Sequence, residues 1–156
     1  MLKITILAVG KLKEDHWRAA YEDFMKRLRP YAKIEVIEVA AAPITPSFGP
    51  ARSMADEAAR LAARLPKDAA VIALDRRGDR VDSEGLARWL ETEGASGRHL
   101  AFVIGGAAGL DEQVLTLADK KISLSGLTFT HEMARVILLE QLYRAATISS
   151  GKKYHY

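Results

Sequence analysis

Short apolar segments recur along the chain, and several of them are rich in β-branched residues. They lack the strict polar alternation of a half-exposed strand, which indicates strands buried on both faces of a parallel sheet. The pattern predicts strands over residues 3–9, 34–39, 69–74, 100–104 and 121–124.

Between these strands, apolar residues return at the three- and four-residue spacing of amphipathic helices. The pattern predicts helices over 11–28, 51–65, 83–93 and 131–146, and a short helix that starts near Asp111. Ser83, followed by Glu84, is the predicted cap of the third helix. Two segments read as irregular: a proline-containing connection over 40–50 and a charged turn over 75–80. Strands that alternate with helices predict an α/β fold, with helices on both faces of a parallel sheet and ligands at the carboxyl ends of its strands.

Composition narrows the class of protein. A chain of 156 residues fits one domain, 1–156. It has no cysteine, so neither disulfides nor a thiolate zinc site are possible, and its four histidines are too scattered to predict a metal site. No apolar run approaches the roughly 20 residues of a membrane span, and the amino terminus resembles a strand more than a signal peptide. The expectation is a cytoplasmic protein without metal or membrane attachment.

Positive charge is concentrated near the amino terminus. Residues 1–33 hold eight Lys or Arg against four Asp or Glu, although the whole chain has a net charge of only +3. Lys152 and Lys153 add charge in the tail. This distribution suits a polyanionic partner, and it equally suits solvated helix ends.

Two glycine-containing segments are the main candidates for chemistry. Residues 102–110 form an apolar strand that runs into Gly105-Gly106-Ala107-Ala108-Gly109, and residues 124–131 form a second loop of small residues. The first lacks the order of a dinucleotide fingerprint and is not a P-loop. It is either a plain strand-to-helix turn or bare backbone offered to a ligand, and the second loop favours the ligand.

Several polar side chains near these segments have two readings each. Asp75 is either a catalytic carboxylate or metal ligand, or a partner of the adjacent arginines. His131 is a helix cap or a ligand neighbour. Arg135 and Arg144 stand at salt-bridge spacing from Glu132 and Glu140, respectively. Tyr143 is most simply a core residue. The terminal Tyr154-His155-Tyr156 suits either a wall that faces a nucleobase or a tail docked in a dimer interface.

In order and spacing, these motifs resemble the RlmH family of SPOUT methyltransferases over essentially the whole chain. The resemblance rests on residues 6–13, 102–110, 124–131, Arg135, 140–145 and the terminal Tyr-His. Two departures stand out. Thr130 replaces a frequent proline, and the tail has Lys153 before Tyr154 and Tyr156 at its end.

The resemblance implies a sheet whose C-terminal part forms a trefoil knot, a homodimer, and S-adenosylmethionine as the cofactor. The implied reaction is methylation of N3 of a pseudouridine in 23S rRNA of the assembled 70S ribosome. It implies cofactor contacts from Leu74, Gly105, Leu124, Ser125, Gly126, Leu127, Thr128 and Phe129.

The hypothesis for catalysis involves three residues near the target base. His155 is the proposed base or hydrogen-bond partner, Tyr154 orients the ring, and Arg144 supplies a cation. Two other functions fit the same sequence less well. A nucleotide-binding oxidoreductase would have a glycine fingerprint after its first strand, which this chain lacks. A non-enzymatic ribosome-binding factor would share the basic patches but would not need the two glycine loops.

Overall fold

The computed structural model describes residues 1–154. In this range, strands and helices alternate from end to end, and all predicted elements are present. In chain order they are β1 (Leu2–Val9), α1 (Asp15–Leu28), β2 (Ala32–Val39), α2 (Pro50–Ala62), β3 (Ala70–Arg80), α3 (Ser83–Ala95), β4 (His99–Ile104), α4 (Glu112–Leu117), β5 (Lys120–Ser123) and α5 (His131–Ser149).

The strands form one sheet in the order β2-β1-β4-β3-β5, and every neighbouring pair is parallel. Ile6 of β1 illustrates the register, because it pairs with Val36 of β2 on one side and Phe102 of β4 on the other. The predicted parallel sheet is therefore confirmed.

Side chains of the interior strand β1 alternate between two hydrophobic layers. Ile4 and Ile6 pack in the layer formed with α1, α3 and α5. Leu7 and Val9 pack in the layer formed with α2 and α4. Successive strand residues point to opposite faces, so an uninterrupted apolar run supplies both layers. Helices cover both faces of the sheet, as predicted.

The strand order places a switch in topology between β1 and β4. These strands are neighbours, yet β1 continues into α1 on one face and β4 continues into α4 on the other. In open α/β sheets such a point leaves a crevice at the carboxyl ends of the strands, where ligands bind.

The predicted charged turn over 75–80 is wrong, because β3 continues through it to Arg80. The pairing of β3 with β5 shifts register between Leu74 and Asp79. At Gly78, a Cβ would lie 2.7 Å from the backbone carbonyl carbon of Lys121, so only glycine allows this close approach. Charged side chains on the end of β3, beyond its pairing with β4, gave the segment its turn-like composition.

Two helix starts also differ from prediction. Helix α1 begins at Asp15, four residues later than expected. Asp82 caps α3, since its carboxylate accepts a hydrogen bond from the Gly85 N–H at 2.6 Å. Ser83, the predicted cap, instead donates its hydroxyl to Gln141 at 2.7 Å. Among the described residues, no helix has the length and apolarity needed to span a membrane.

Candidate active site

A cavity of about 600 Å³ opens at the carboxyl edge of the sheet. Its walls come from the ends of β3 and β4, the loop that follows β5, and the first turn of α5. The volume lies in the range of small-molecule sites, and the position is the one that parallel sheets use for ligands.

The glycine turn after β4 forms one wall of this cavity. Gly109 has a φ of 90° and donates its N–H to the Gly106 carbonyl oxygen at 3.0 Å. A Cβ at Gly105 would lie 2.7 Å from the Gly109 carbonyl carbon. The glycines are therefore needed to close the turn, and the closed turn leaves backbone along the cavity. Asp111 then caps α4 as predicted, by accepting from the Gln113 N–H at 2.9 Å.

The loop after β5 forms the facing wall and is held by two serine hydrogen bonds. Ser123 donates its hydroxyl to the Ser125 carbonyl oxygen at 2.8 Å, and the Leu127 N–H donates to Ser125 Oγ at 3.0 Å. The Leu127 side chain is 73% exposed. An apolar side chain so exposed at the mouth of a cavity offers contact area to a ligand or a partner.

Seven of the eight residues predicted to contact the cofactor line this one cavity. They are Leu74, Gly105, Leu124, Ser125, Leu127, Thr128 and Phe129. Gly126 is not among the lining residues. A Cβ there would lie 2.9 Å from an Arg80 guanidinium nitrogen, so the glycine accommodates that side chain.

Asp75 lies in the cavity wall and is engaged by Arg77. Its carboxylate accepts from the Arg77 N–H at 2.7 Å and from the guanidinium at 3.3 Å. Burial opposes ionisation of Asp75, but the hydrogen bonds from Arg77 outweigh it and lower the pKa. The reading of Asp75 as an arginine partner is thus the one the structure supports. No group of three metal-ligating side chains occurs within residues 1–154.

The first turn of α5 joins the cavity to the loop between β1 and α1. Thr130 caps α5 by accepting from the Met133 N–H at 3.2 Å, so the cap is not His131. The His131 imidazole lines the cavity and packs on Gly10, where a Cβ would lie 3.0 Å from the ring. Burial lowers the pKa of His131 and favours the neutral ring.

The buried side chain of Arg135 also links α5 to the loop between β1 and α1. Its guanidinium donates to the Glu38 carboxylate at 2.7 Å and to the Gly10 carbonyl oxygen at 2.9 Å. The predicted pairing of Arg135 with Glu132 is wrong. Glu132 instead accepts from the backbone N–H groups of residues 13 and 14, just before α1.

A second polar cluster lies further along α5 and contains two of the predicted catalytic residues. Arg144 donates to Glu140 Oε1 at 2.5 and 3.0 Å, which confirms the predicted pair. The Tyr154 hydroxyl donates to the same oxygen at 3.3 Å, and its ring stands edge-on to Tyr143 at 4.7 Å. Tyr143 is accordingly half-buried against the core. His155, the third predicted catalytic residue, lies outside the described residues, as does Tyr156.

Burial and the nearby Glu140 carboxylate raise the pKa of Tyr154, so its hydroxyl stays protonated at neutral pH. Hydrogen bonding to Glu140 raises the pKa of Arg144 as well. The Arg144 guanidinium lies 5.0 Å from the centre of the Tyr154 ring. The cluster therefore presents a fixed cation beside a phenol that donates a hydrogen bond.

Basic and aromatic side chains surround this cluster. The Arg27 guanidinium lies 5.8 Å from the centre of the Tyr143 ring. Lys152 donates to the Tyr31 hydroxyl at 2.7 Å. The basic end of α1 and the basic tail are far apart in the sequence, and the fold brings them to one surface.

The cavity and the distal cluster are well separated within one chain. Ala134 is the last residue of α5 that borders the cavity, whereas Arg144 lies ten residues further along the helix. At 1.5 Å per residue this separation is about 15 Å along the helix axis. Neither Arg144 nor Tyr154 lines the cavity.

Comparison with known proteins agrees with this architecture. A family model described as "Predicted SPOUT methyltransferase" matches residues 2–155. The chain is similar to three proteins named "Ribosomal RNA large subunit methyltransferase H". They come from Halothermothrix orenii (45% identity, 99% of both chains), Rubrobacter xylanophilus (50% identity, 99% of this chain and 98% of the other) and Acetivibrio thermocellus (43% identity, 99% of both chains).

The crystal structure of the tRNA (m1G37) methyltransferase from Aquifex aeolicus has a similar fold. Its TM-score is 0.55 at 16% identity, and the alignment covers 92% of this chain and 69% of that one. Both the sequence match and the fold point the same way. The chain belongs to the SPOUT methyltransferase family, and the predicted resemblance to its RlmH members is confirmed.

Proposed function

We propose that this protein is an S-adenosylmethionine-dependent methyltransferase that modifies N3 of a pseudouridine in 23S rRNA of the assembled 70S ribosome. The observation that carries the proposal is the cavity built from three strand-end loops, in a chain whose full-length relatives are named as ribosomal RNA methyltransferases. The reaction then takes place in the cytoplasm, with the ribosome.

The cavity suits S-adenosylmethionine in size and in lining. The ligand combines a flat base, a ribose and a charged amino-acid tail, and about 600 Å³ is sufficient for it. Leu74 and Leu127 offer apolar contacts for the base. Backbone exposed along the Gly105 turn and the Ser125 loop offers hydrogen bonds for the polar parts.

A homodimer with shared sites would allow the cavity and the distal cluster to act together. Neither Arg144 nor Tyr154 lines the cavity of its own chain, and about 15 Å of helix separates Arg144 from Ala134 at the border of that cavity. In a symmetric dimer, each subunit can supply its distal cluster to the cavity of the other. We propose that two such composite sites form per dimer.

The bound cofactor supplies an electrophilic methyl group on a sulfonium, so no metal is needed for the transfer. The target N3 carries an imide proton that must leave, and its pKa lies above neutrality. We assign removal of this proton to His155. The fixed Arg144 guanidinium stabilises the negative charge that develops on the ring, and the protonated Tyr154 hydroxyl orients it.

The basic and aromatic surface around Tyr154 suits binding of the RNA. Lys152 and Arg27 can contact phosphates, while the tyrosine rings can stack on unpaired bases. A dimer doubles this surface, and an intact ribosome presents the stem-loop in a fixed shape. The proposal also includes the trefoil knot of the family in the C-terminal part. Pulling the chain from its two ends tests for the knot, because a knotted chain extends to less than its full contour length.

The test uses purified protein, methyl-labelled S-adenosylmethionine and three RNA samples: 70S ribosomes, 50S subunits and naked 23S rRNA. We expect label on N3 of a 23S pseudouridine, located by nuclease digestion and mass spectrometry, with 70S ribosomes as the best substrate. Ribosome binding without cofactor binding would indicate a non-enzymatic factor. NADH binding without methyl transfer would indicate an oxidoreductase.

A further inference from the structure

A second, smaller cavity of about 250 Å³ adjoins the first at the carboxyl edge of the sheet. The two cavities share Gly106, Ala107 and His131 as lining residues. The second cavity is completed by residues at the ends of β1 and β2 and by α2. It therefore lies at the switch in topology between β1 and β4.

Glu57 of α2 lines this second cavity and is only 3% exposed. Its two carboxylate oxygens lie 2.6 and 2.8 Å from the position that a Cβ would take at Gly106. Only a glycine at that position lets the carboxylate lie against the turn that walls the first cavity. The acidic group is thus buried directly behind the ligand-facing backbone.

The Glu57 carboxylate has no cation as a salt-bridge partner in the part of the chain that the structure describes. The nearby Arg60 donates to the Ala40 carbonyl oxygen at 2.7 Å. Burial raises the pKa of Glu57, although the Ala42 N–H and Arg60 oppose the shift. A buried carboxylate without a counter-charge is costly, and a ligand that brings positive charge offsets that cost.

His131 provides a second polar group with unused capacity in the same place. Its Nδ1 is buried and has no hydrogen-bond partner within residues 1–154. As a neutral ring, His131 can accept one hydrogen bond from a donor. Glu57 and His131 together therefore favour a group with positive charge and several N–H donors, which a primary ammonium has.

We infer that Glu57 and His131 form a subsite for the ammonium group of the methyl donor's amino-acid tail, entered from the first cavity. The inference rests on the proposed function, because it assumes that the first cavity holds S-adenosylmethionine. The tail's carboxylate would be repelled by Glu57, so the subsite also fixes which end of the tail enters. This assignment adds a specificity element outside the two glycine loops.

Binding calorimetry with two unreactive ligands tests the inference. S-adenosylhomocysteine carries the ammonium, and its deamino analogue lacks only that group. We expect wild-type protein to bind S-adenosylhomocysteine about tenfold or more tightly than the analogue. Glu57→Gln should lose most of this preference, by weakening S-adenosylhomocysteine and leaving the analogue within about threefold.

Asp56→Asn is the matched control, because Asp56 is the exposed neighbour of Glu57 on the same helix. It should keep the wild-type preference. Equal binding of both ligands by wild-type protein would overturn the inference, whatever the variants do. Unchanged preference in a folded Glu57→Gln protein would overturn it as well. If wild-type protein bound neither ligand, the proposed function itself would fail.

Discussion

Arg135 offers a quantitative test of how the fold supports the site. Its side chain is 2% exposed and holds both Glu38 and the Gly10 carbonyl oxygen. Arg135→Met keeps a long apolar stem and removes the charge and all hydrogen bonds. The change leaves the Glu38 carboxylate without this partner and releases the loop between β1 and α1 from α5.

The expected loss in the free energy of unfolding follows from the burial of Arg135 and Glu38. Removing one member of a buried ion pair typically costs about 3–5 kcal/mol. Glu38 is 34% exposed, so water restores part of its solvation after the change. Arg135 Nε also lacks a partner within the described chain, so the native pair does not recover all of its desolvation. We therefore expect the low end, about 3 kcal/mol, or about 6–12 °C in Tm for a chain of this size.

Urea unfolding at one fixed protein concentration measures the loss, because the proposed dimer would make stability depend on concentration. Arg98→Met is the control, since Arg98 is half-exposed and lies 3.7 Å from Glu93. Its pair should contribute less than about 1 kcal/mol. An Arg135→Met protein that unfolds within about 1 kcal/mol of this control would refute the reasoning.

Three further predictions concern the glycine turn after β4, the end of β3 and the half-buried His131. Gly105→Ala should weaken S-adenosylhomocysteine binding at least about tenfold by calorimetry, because its Cβ would lie 2.7 Å from the Gly109 backbone. Gly49→Ala is the control and should leave binding unchanged, because a Cβ at Gly49 meets open space. Gly78→Ala should destabilise the protein by about 1–3 kcal/mol in urea unfolding, because its Cβ would press on β5 backbone, and unchanged stability would contradict this. The pKa of His131 is held below the ordinary value of 6.5, so protonation favours the unfolded chain and stability should rise as pH increases to that value. His131→Gln should remove this component of the rise, and an identical pH dependence in the variant would refute it.

Much of the fold can be predicted because its signals are local. Each parallel strand is covered on both faces and therefore appears as an uninterrupted apolar run. The end of β3 escaped prediction because residues 75–80, beyond the pairing with β4, are charged and contain a glycine, a composition that is also typical of a turn. Local patterns also favoured Glu132 as the partner of Arg135, whereas the true partner, Glu38, lies 97 residues away.

The same contrast between local and long-range signals applies to the candidate site. The glycine turn and the Ser125 loop are visible in the sequence because each needs special residues in one short segment. The distance between the cavity and Tyr154 depends on the length and direction of α5, which no motif encodes. Glu57 stands among alanines and charged residues on α2, a composition typical of a solvated helix face. Only the packing of α2 against Gly106 reveals that it is buried.

Mixed dimers test the central claim, that each site combines the cavity of one subunit with the distal cluster of the other. One subunit carries Gly105→Ala, which disables the cavity, and the other carries Arg144→Met, which disables the cluster. Differently tagged copies are co-purified and assayed for transfer of labelled methyl groups to ribosomal RNA. Both homodimers should be inactive, whereas the mixed dimer should retain about half of the wild-type activity through its single intact composite site. A mixed dimer as inactive as the two homodimers would contradict the account.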